Sequence, residues 1–357
     1  MSTRIWVATT LVLLICPAVI AQVGSQPLKL YPLPPDAQLS INELAAQSDI
    51  LILGEIHGTQ EVPAVAATLL QPLTKLGYGV LALEVPADQH GPLSDWATGR
   101  TTSVPSFFAK PWEDGRGSTE ALKLIRTALS PPFHWKLICF DITMDDMAQE
   151  NAEMNHDAKQ SAQEKSASDL DSGQIIAVSL RRDAMMASSL TKQLQQLGLQ
   201  HPPKVLTICG NLHARTENRA KPDKPWAALW PSFAAVLQSS HPTWHIGSVN
   251  VSPHSGGFFN GGKVNAVKGR PLDNAEVHLT PDGDWNLNLD LPRATPATFL
   301  STPDDSNAPP PPISTEADKA TRVCTAVQRR PQCIPSSRLR CRRHTNRNRS
   351  ATSHGDR

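Results

Sequence analysis

Glu55 and His57 stand two residues apart in Leu53-Gly54-Glu55-Ile56-His57-Gly58-Thr59-Gln60-Glu61, which carries a further carboxylate at Glu61. A second Gly-x-x-His occurs at Gly210-Asn211-Leu212-His213, and Glu84 ends the apolar run Val80-Leu81-Ala82-Leu83. Imidazoles and carboxylates brought together have two chemical uses. They can ligate a divalent metal, acidifying a bound water or polarising a carbonyl. Without a metal, a histidine poised by a carboxylate serves as a general base towards water. The residues leave both open, with His57, His213 and Glu55 as the donors if a metal is used. Arg182 could clamp an anionic group, although Arg182-Asp183 in a helix is more often a surface pair. Singly, each residue also has a structural reading. Glu55 could favour a helix N-terminus, and either histidine could be a hydrogen-bonded core residue. Polar punctuation at several strand ends, with Asp141 as a weaker instance, argues for a site.

The backbone has to deliver these groups to one place. Residues 50–53 form an all-apolar run of strand length, the pattern of a strand buried on both faces of a parallel sheet. Such sheets present their chemistry at the carboxyl ends of the strands, where Glu55, Glu84 and His213 fall. Val65, Leu69, Leu73 and Leu76 recur at helical spacing up to Gly77, with Pro63 suited to a first turn and Pro72 expected to kink the helix. Further strands are expected at 79–83, 135–140, 204–209 and 245–251. Helices are expected at 40–47, 119–129, 175–197 and 227–237, the third with Met186, Leu190, Leu194 and Leu197 as its apolar stripe and the fourth interrupted by Pro231 or truly starting there. Residues 90–118 read as loop and 145–174 as a solvated excursion or lid. Two alternating runs, 276–279 and 285–291, flank Pro281-Asp282-Gly283-Asp284, a hairpin signal. The class is α/β: a central, mostly parallel sheet flanked by helices, with a small C-terminal β-hairpin region and a disordered tail.

The ends of the chain read differently from its middle. Arg4, the apolar run 5–15 and Val19-Ile20-Ala21 make a secretory signal at 1–21, which places the mature protein outside the cytoplasm, secreted or periplasmic. The run is short of a spanning helix, so no transmembrane anchor is expected after cleavage. An extended lead-in (22–39), an α/β domain (40–255), a β-hairpin appendage (256–300) and a Pro-rich linker with a basic tail (301–357) follow. At 357 residues and a net charge of +1 the composition favours neither nucleic acid nor acidic partners. Cys139 and Cys209 sit inside apolar strands and read as buried thiols. No Gly-x-Ser-x-Gly elbow, phosphate loop or paired Cys-x-x-Cys occurs.

The motif around Glu55 and His57 resembles the opening motif of the erythromycin esterase-like and ChaN-like proteins, grouped with the Tiki and TraB proteins. Ala82-Leu83-Glu84-Val85-Pro86, Arg182-Asp183-Ala184-Met185-Met186-Ala187 and Gly210-Asn211-Leu212-His213-Ala214 match further motifs in the same order, across residues 48–250. The resemblance implies an α/β fold and a site of Glu55, His57, Glu61, Glu84, Arg182 and His213, with Glu61 towards a cofactor. It does not fix the reaction. Esterase-like members open macrolide lactones with activated water, Tiki members are metal-dependent proteases, and ChaN-like members are lipoproteins linked to haem or iron uptake. The expectation is an exported hydrolase acting on a small molecule or peptide, with a divalent metal as an open question. The alternative is a non-catalytic haem- or iron-binding protein.

Overall fold

The apolar runs become strands buried on both faces. Ile50–Glu55 (β1), Val80–Pro86 (β2), Lys136–Asp141 (β3), Val205–Gly210 (β4) and Ile246–Pro253 (β5) pair in parallel. Gly257–Asn260 (β6) and Lys263–Ala266 (β7) form a separate antiparallel pair. Glu276–Leu279 (β8) and Leu287–Leu291 (β9) pair antiparallel, and β9 lies parallel to β5. The seven-stranded sheet has the order β3-β2-β4-β1-β5-β9-β8. The computed structural model of the chain describes residues 28–109, 111–112, 114–150, 172–198, 204–219, 224–279 and 283–300. The expected signal, the centre of the polar excursion and the basic tail lie outside them.

Each face of the sheet is closed by helices. Pro35–Gln47 (α1), Glu61–Lys75 (α2), His90–Ala97 (α3) and Thr119–Leu129 (α4) bury Ile41, Val65, Leu69, Leu73, Leu93, Trp96 and Ile125 in one core with Leu51, Leu53 and Leu81. On the other face Ser172–Gln196 (α5) and Phe233–Ser240 (α6) pack Met186, Leu190, Leu194, Phe233 and Leu237 against Ile50, Ile52, Val205 and Cys209. The expected stripe of α5 is therefore its core face. Cys139 and Cys209 are free and buried. Among the described residues no helix is long and apolar enough to cross a membrane.

Two local expectations change, and two prolines show what they do. α3 lies in the stretch read as loop: Gly91-Pro92 hides it, yet burying Leu93, Trp96 and Ala97 stabilises it. α1 starts at Pro35, inside the expected lead-in, because a proline fits a first helical turn. Pro231 marks the true start of α6, as one reading of the sequence had it: Ser232 caps the helix by accepting from Ala235 N at 3.2 Å, and Pro225–Ala228 forms only a 3-10 turn. α2 continues through Pro72 to Lys75. The C-terminal hairpin forms as expected, but it is continuous with the central sheet rather than an appendage beyond residue 255. Leu287, Leu289 and Leu291 belong to the main core.

The strand order also locates a crevice. The chain leaves β1 towards β2 on one side and leaves β4 towards β5 on the other, although β1 and β4 are neighbours. Adjacent strands whose connections diverge open the crevice where open α/β sheets bind ligands.

Candidate active site

Register brings the strand ends level, with Glu55 beside Gly210 and Pro86 beside Asp141. The pairing of β2 with β3 shifts between Leu83 and Pro86, and this irregularity lies where Glu84 projects. Glu84 is the hub. Its Oε2 accepts from Gly210 N at 2.7 Å, and its Oε1 accepts from Arg182 Nη2 at 2.9 Å and Arg116 Nη1 at 3.2 Å. The same guanidiniums hold Asp141: Arg182 donates to both its oxygens at 2.9 and 2.7 Å, and Arg116 Nη1 donates at 2.5 Å. Arg116 Nε in turn donates to Asp114 at 2.7 Å.

Two imidazoles face this hub, one at each carboxylate oxygen. His57 Nδ1 lies 2.9 Å from Glu55 Oε1, and its Nε2 lies 3.5 Å from Glu84 Oε2. His213 Nδ1 lies 2.5 Å from Asp183 Oδ1, and its Nε2 lies 3.9 Å from Glu84 Oε1. A carboxylate against Nδ1 fixes the tautomer, because only Nδ1–H can donate to it. In the neutral ring the lone pair is then on Nε2. Both Nε2 contacts are too long for a good hydrogen bond, so neither lone pair is consumed by Glu84. The imidazoles are 17% and 19% exposed against 3% for Glu84, so the rings are what the solvent reaches.

The charge balance follows from this packing. Burial pushes the Glu84 carboxyl upward, but His57, His213, Arg116 and Arg182 outweigh it and hold the group well below the usual carboxylate range. Burial of Asp141 is likewise overcome by Arg182 and Arg116, which lower its pKa. Burial pulls His57 down, yet Glu84, Glu55 and Asp114 raise it above 6.5. For His213 the same downward pull is overcome by Asp183 and Glu84. The buried charges are each paired and hydrogen-bonded, the condition under which burial is tolerated.

Gly210 is required by this crowding. A Cβ there would stand 3.0 Å from His57 Nε2 and 3.2 Å from His213 Cδ2. Gly58, at φ +76°, turns the first motif beneath β6, where a Cβ would meet Phe259 O at 1.9 Å. Of the residues singled out in the sequence, Glu55, His57, Glu84, Asp141, Arg182 and His213 meet in one cluster. Glu61 opens α2 with its carboxylate on Thr295 N at 2.9 Å. Asp183 is not a surface residue: it is buried against His213. Arg116, set between Gly115 and Gly117 in a stretch read only as loop, is a partner the sequence reading missed. A lone arginine between two glycines was the only signal.

The donor set does not fit a metal as placed. Carboxylates on Nδ1 leave Nε2 as the donor atom of each ring, but Glu84, on which both Nε2 atoms converge, is already filled by two guanidiniums and an amide. Those guanidiniums put positive charge where a divalent ion would sit. Among the described residues no group of three or more His, Cys, Asp or Glu side chains is arranged to hold a metal ion.

No family model matches the chain, and no curated protein matches it. Solved structures do. A protein from Bacillus cereus superposes with a TM-score of 0.50 at 13% identity, covering 80% of this chain and 100% of its own. A variant of the erythromycin esterase EreC in its open conformation matches with a TM-score of 0.44 at 13% identity, covering 74% of this chain and 80% of its own. ChaN of Campylobacter jejuni, described with cofacial haem binding, matches with a TM-score of 0.40 at 12% identity, covering 71% and 90%. At such identities the likeness to the Bacillus cereus protein is one of fold.

Proposed function

We propose that the protein is a hydrolase in which His213 is the general base and His57 its acid partner. The observation that carries this reading is the pair of imidazoles, each fixed by its own carboxylate and each presenting Nε2 at the same strand-end crevice. His213 Nε2 takes a proton as water attacks the carbonyl carbon of an ester or amide. Protonated His57 gives its proton to the leaving oxygen or nitrogen as the bond to carbon breaks. Solvent then restores both rings. Glu84, tied to Arg116, Arg182 and Gly210, stays ionised and favours the imidazolium that forms on either side.

His213→Ala lowers kcat by about 10²–10⁴-fold, the range for a positioned general base, while circular dichroism shows an unchanged fold. Asp183→Asn, which removes the acceptor fixing the tautomer, follows it in direction. An ester and peptide screen of the intact chain supplies the substrate. Activity unaffected by His213→Ala sinks the reading. A Soret band on haem addition that is lost with the histidines favours the binding-protein alternative. Because both imidazoles are raised above 6.5, activity climbs with pH through a midpoint above that value and falls again as His57 loses its proton. We also take the chain to be exported, on the pattern of residues 1–21. A mature N-terminus at Gln22 is the expected result of N-terminal sequencing, and retention of Met1 in the processed protein refutes it.

A further inference from the structure

The loop that carries His57 is held from outside the site. Gly58 O accepts two hydrogen bonds, from Phe259 N and from Ala297 N, both at 2.9 Å. Gln60 N donates to Thr295 O at 3.0 Å, Gln60 Nε2 donates to Pro296 O at 2.9 Å, and Thr59 bridges Pro296. Residues 294–298 therefore lie along residues 58–60 as an antiparallel strap. Its two ends are latched by carboxylates in the first turns of two helices. Glu61 accepts from Thr295 N at 2.9 Å, and Glu120 accepts from Thr298 N at 3.1 Å and Thr298 Oγ1 at 2.6 Å. The strap also ties to the small hairpin, since Gly257 N donates to Ala294 O at 3.0 Å and the Phe259 and Phe299 rings lie 4.6 Å apart.

We propose that Glu61 is a positioning residue: by latching the 294–298 strap it sets where His57 stands against Glu84. This rests on the hydrolase reading only for its consequence in catalysis, because the geometry concerns His57 itself. The carboxylate that the sequence pattern groups with the site thus acts on it at one remove, through Thr295, Ala297 and Gly58. The loop of His213 is held by other partners: His213 O accepts from Ala234 N at 3.0 Å, Asn211 O accepts from Trp285 Nε1 at 2.9 Å, and the ring is oriented by Asp183 on α5.

The test is histidine titration by NMR with amide exchange, on the intact chain. Glu61→Ala moves the His57 titration and leaves that of His213 in place. It also speeds exchange at Thr295 and Ala297 by about tenfold or more, as loss of a hydrogen bond to a charged acceptor implies. Glu61→Gln, which keeps an acceptor oxygen, restores most of both. Unchanged titrations overturn the proposal, as does an equal shift of both histidines, which marks general loosening. Should Glu61→Ala not fold, native-state exchange of the wild-type chain decides. Thr295, Ala297 and Phe259 opening as one unit supports the strap, and independent opening overturns it. A moved His57 together with activity that survives His213→Ala leaves the strap standing and removes the hydrolase reading.

Discussion

Glu84 shows how a single buried carboxylate sets the behaviour of its neighbours. Its folded pKa lies below 4.5, so it contributes stability that is present above pH 4.5 and lost as pH falls through the folded value. His57 and His213 are raised above 6.5, so they contribute stability present below pH 6.5 and lost as pH rises through their folded values. These opposite signs bracket a window. Stability from urea unfolding peaks between pH 4.5 and 6.5, and Glu84→Gln flattens the curve on both sides because the histidines lose their common partner. A curve unchanged by Glu84→Gln contradicts the hub. Six of the clustered residues, Asp141 among them, were legible because they punctuate strand ends or match a motif. Asp183 and Arg116 were missed. Asp183 stands three and seven residues before Met186 and Leu190, on the inward stripe of α5, a signal that the reading of Arg182-Asp183 as a surface pair passed over. Arg116 reaches Glu84 across 32 residues through a loop whose path no periodicity reveals.

At the scale of elements, the parallel strands and the helices between them follow from patterns that local physics dictates. An apolar run of strand length becomes a two-faced buried strand, and a 3.6-residue stripe becomes a packed helix face. α3 escaped because its pattern is only eight residues long and opens with Gly91-Pro92, so tertiary burial of Trp96 decides it. The turn joining β1 to α2 is the element most exposed to test. Gly58 and Gly99 have the same φ of +76°, but a Cβ at Gly99 meets nothing within 4 Å. Gly99→Ala therefore costs only the backbone penalty, about 1–2 kcal/mol. Gly58→Ala adds a collision with the Phe259 carbonyl, so urea unfolding shows a loss above about 2 kcal/mol. Activity falls with it, because the displaced loop carries His57. Equal losses for the two variants rule out the collision as the cause.

At the scale of the molecule, the boundary expected at residue 255 misleads because hairpin chemistry is local while sheet membership is not. Pro281-Asp282-Gly283-Asp284 signals a turn between alternating runs, and nothing within those runs names the strand they join. The structure answers with β9 laid parallel to β5, its Leu287, Leu289 and Leu291 in the same core as Leu51 and Val249. Each of those leucines is 2% exposed or less. Full burial of three such side chains contributes on the order of 4–9 kcal/mol. That is comparable with the whole net stability of a domain, about 5–15 kcal/mol. A chain ending at Ser255 also loses the partner of residues 249–253 in β5, leaving an unpaired edge that includes the buried Val249 and Val251. Such a fragment should fail to give a cooperative thermal transition and should associate in solution, whereas a chain continued through Leu300 should melt as one unit. A cooperative, monomeric 28–255 fragment would show instead that the sheet is complete at β5 and that the C-terminal strands only decorate it.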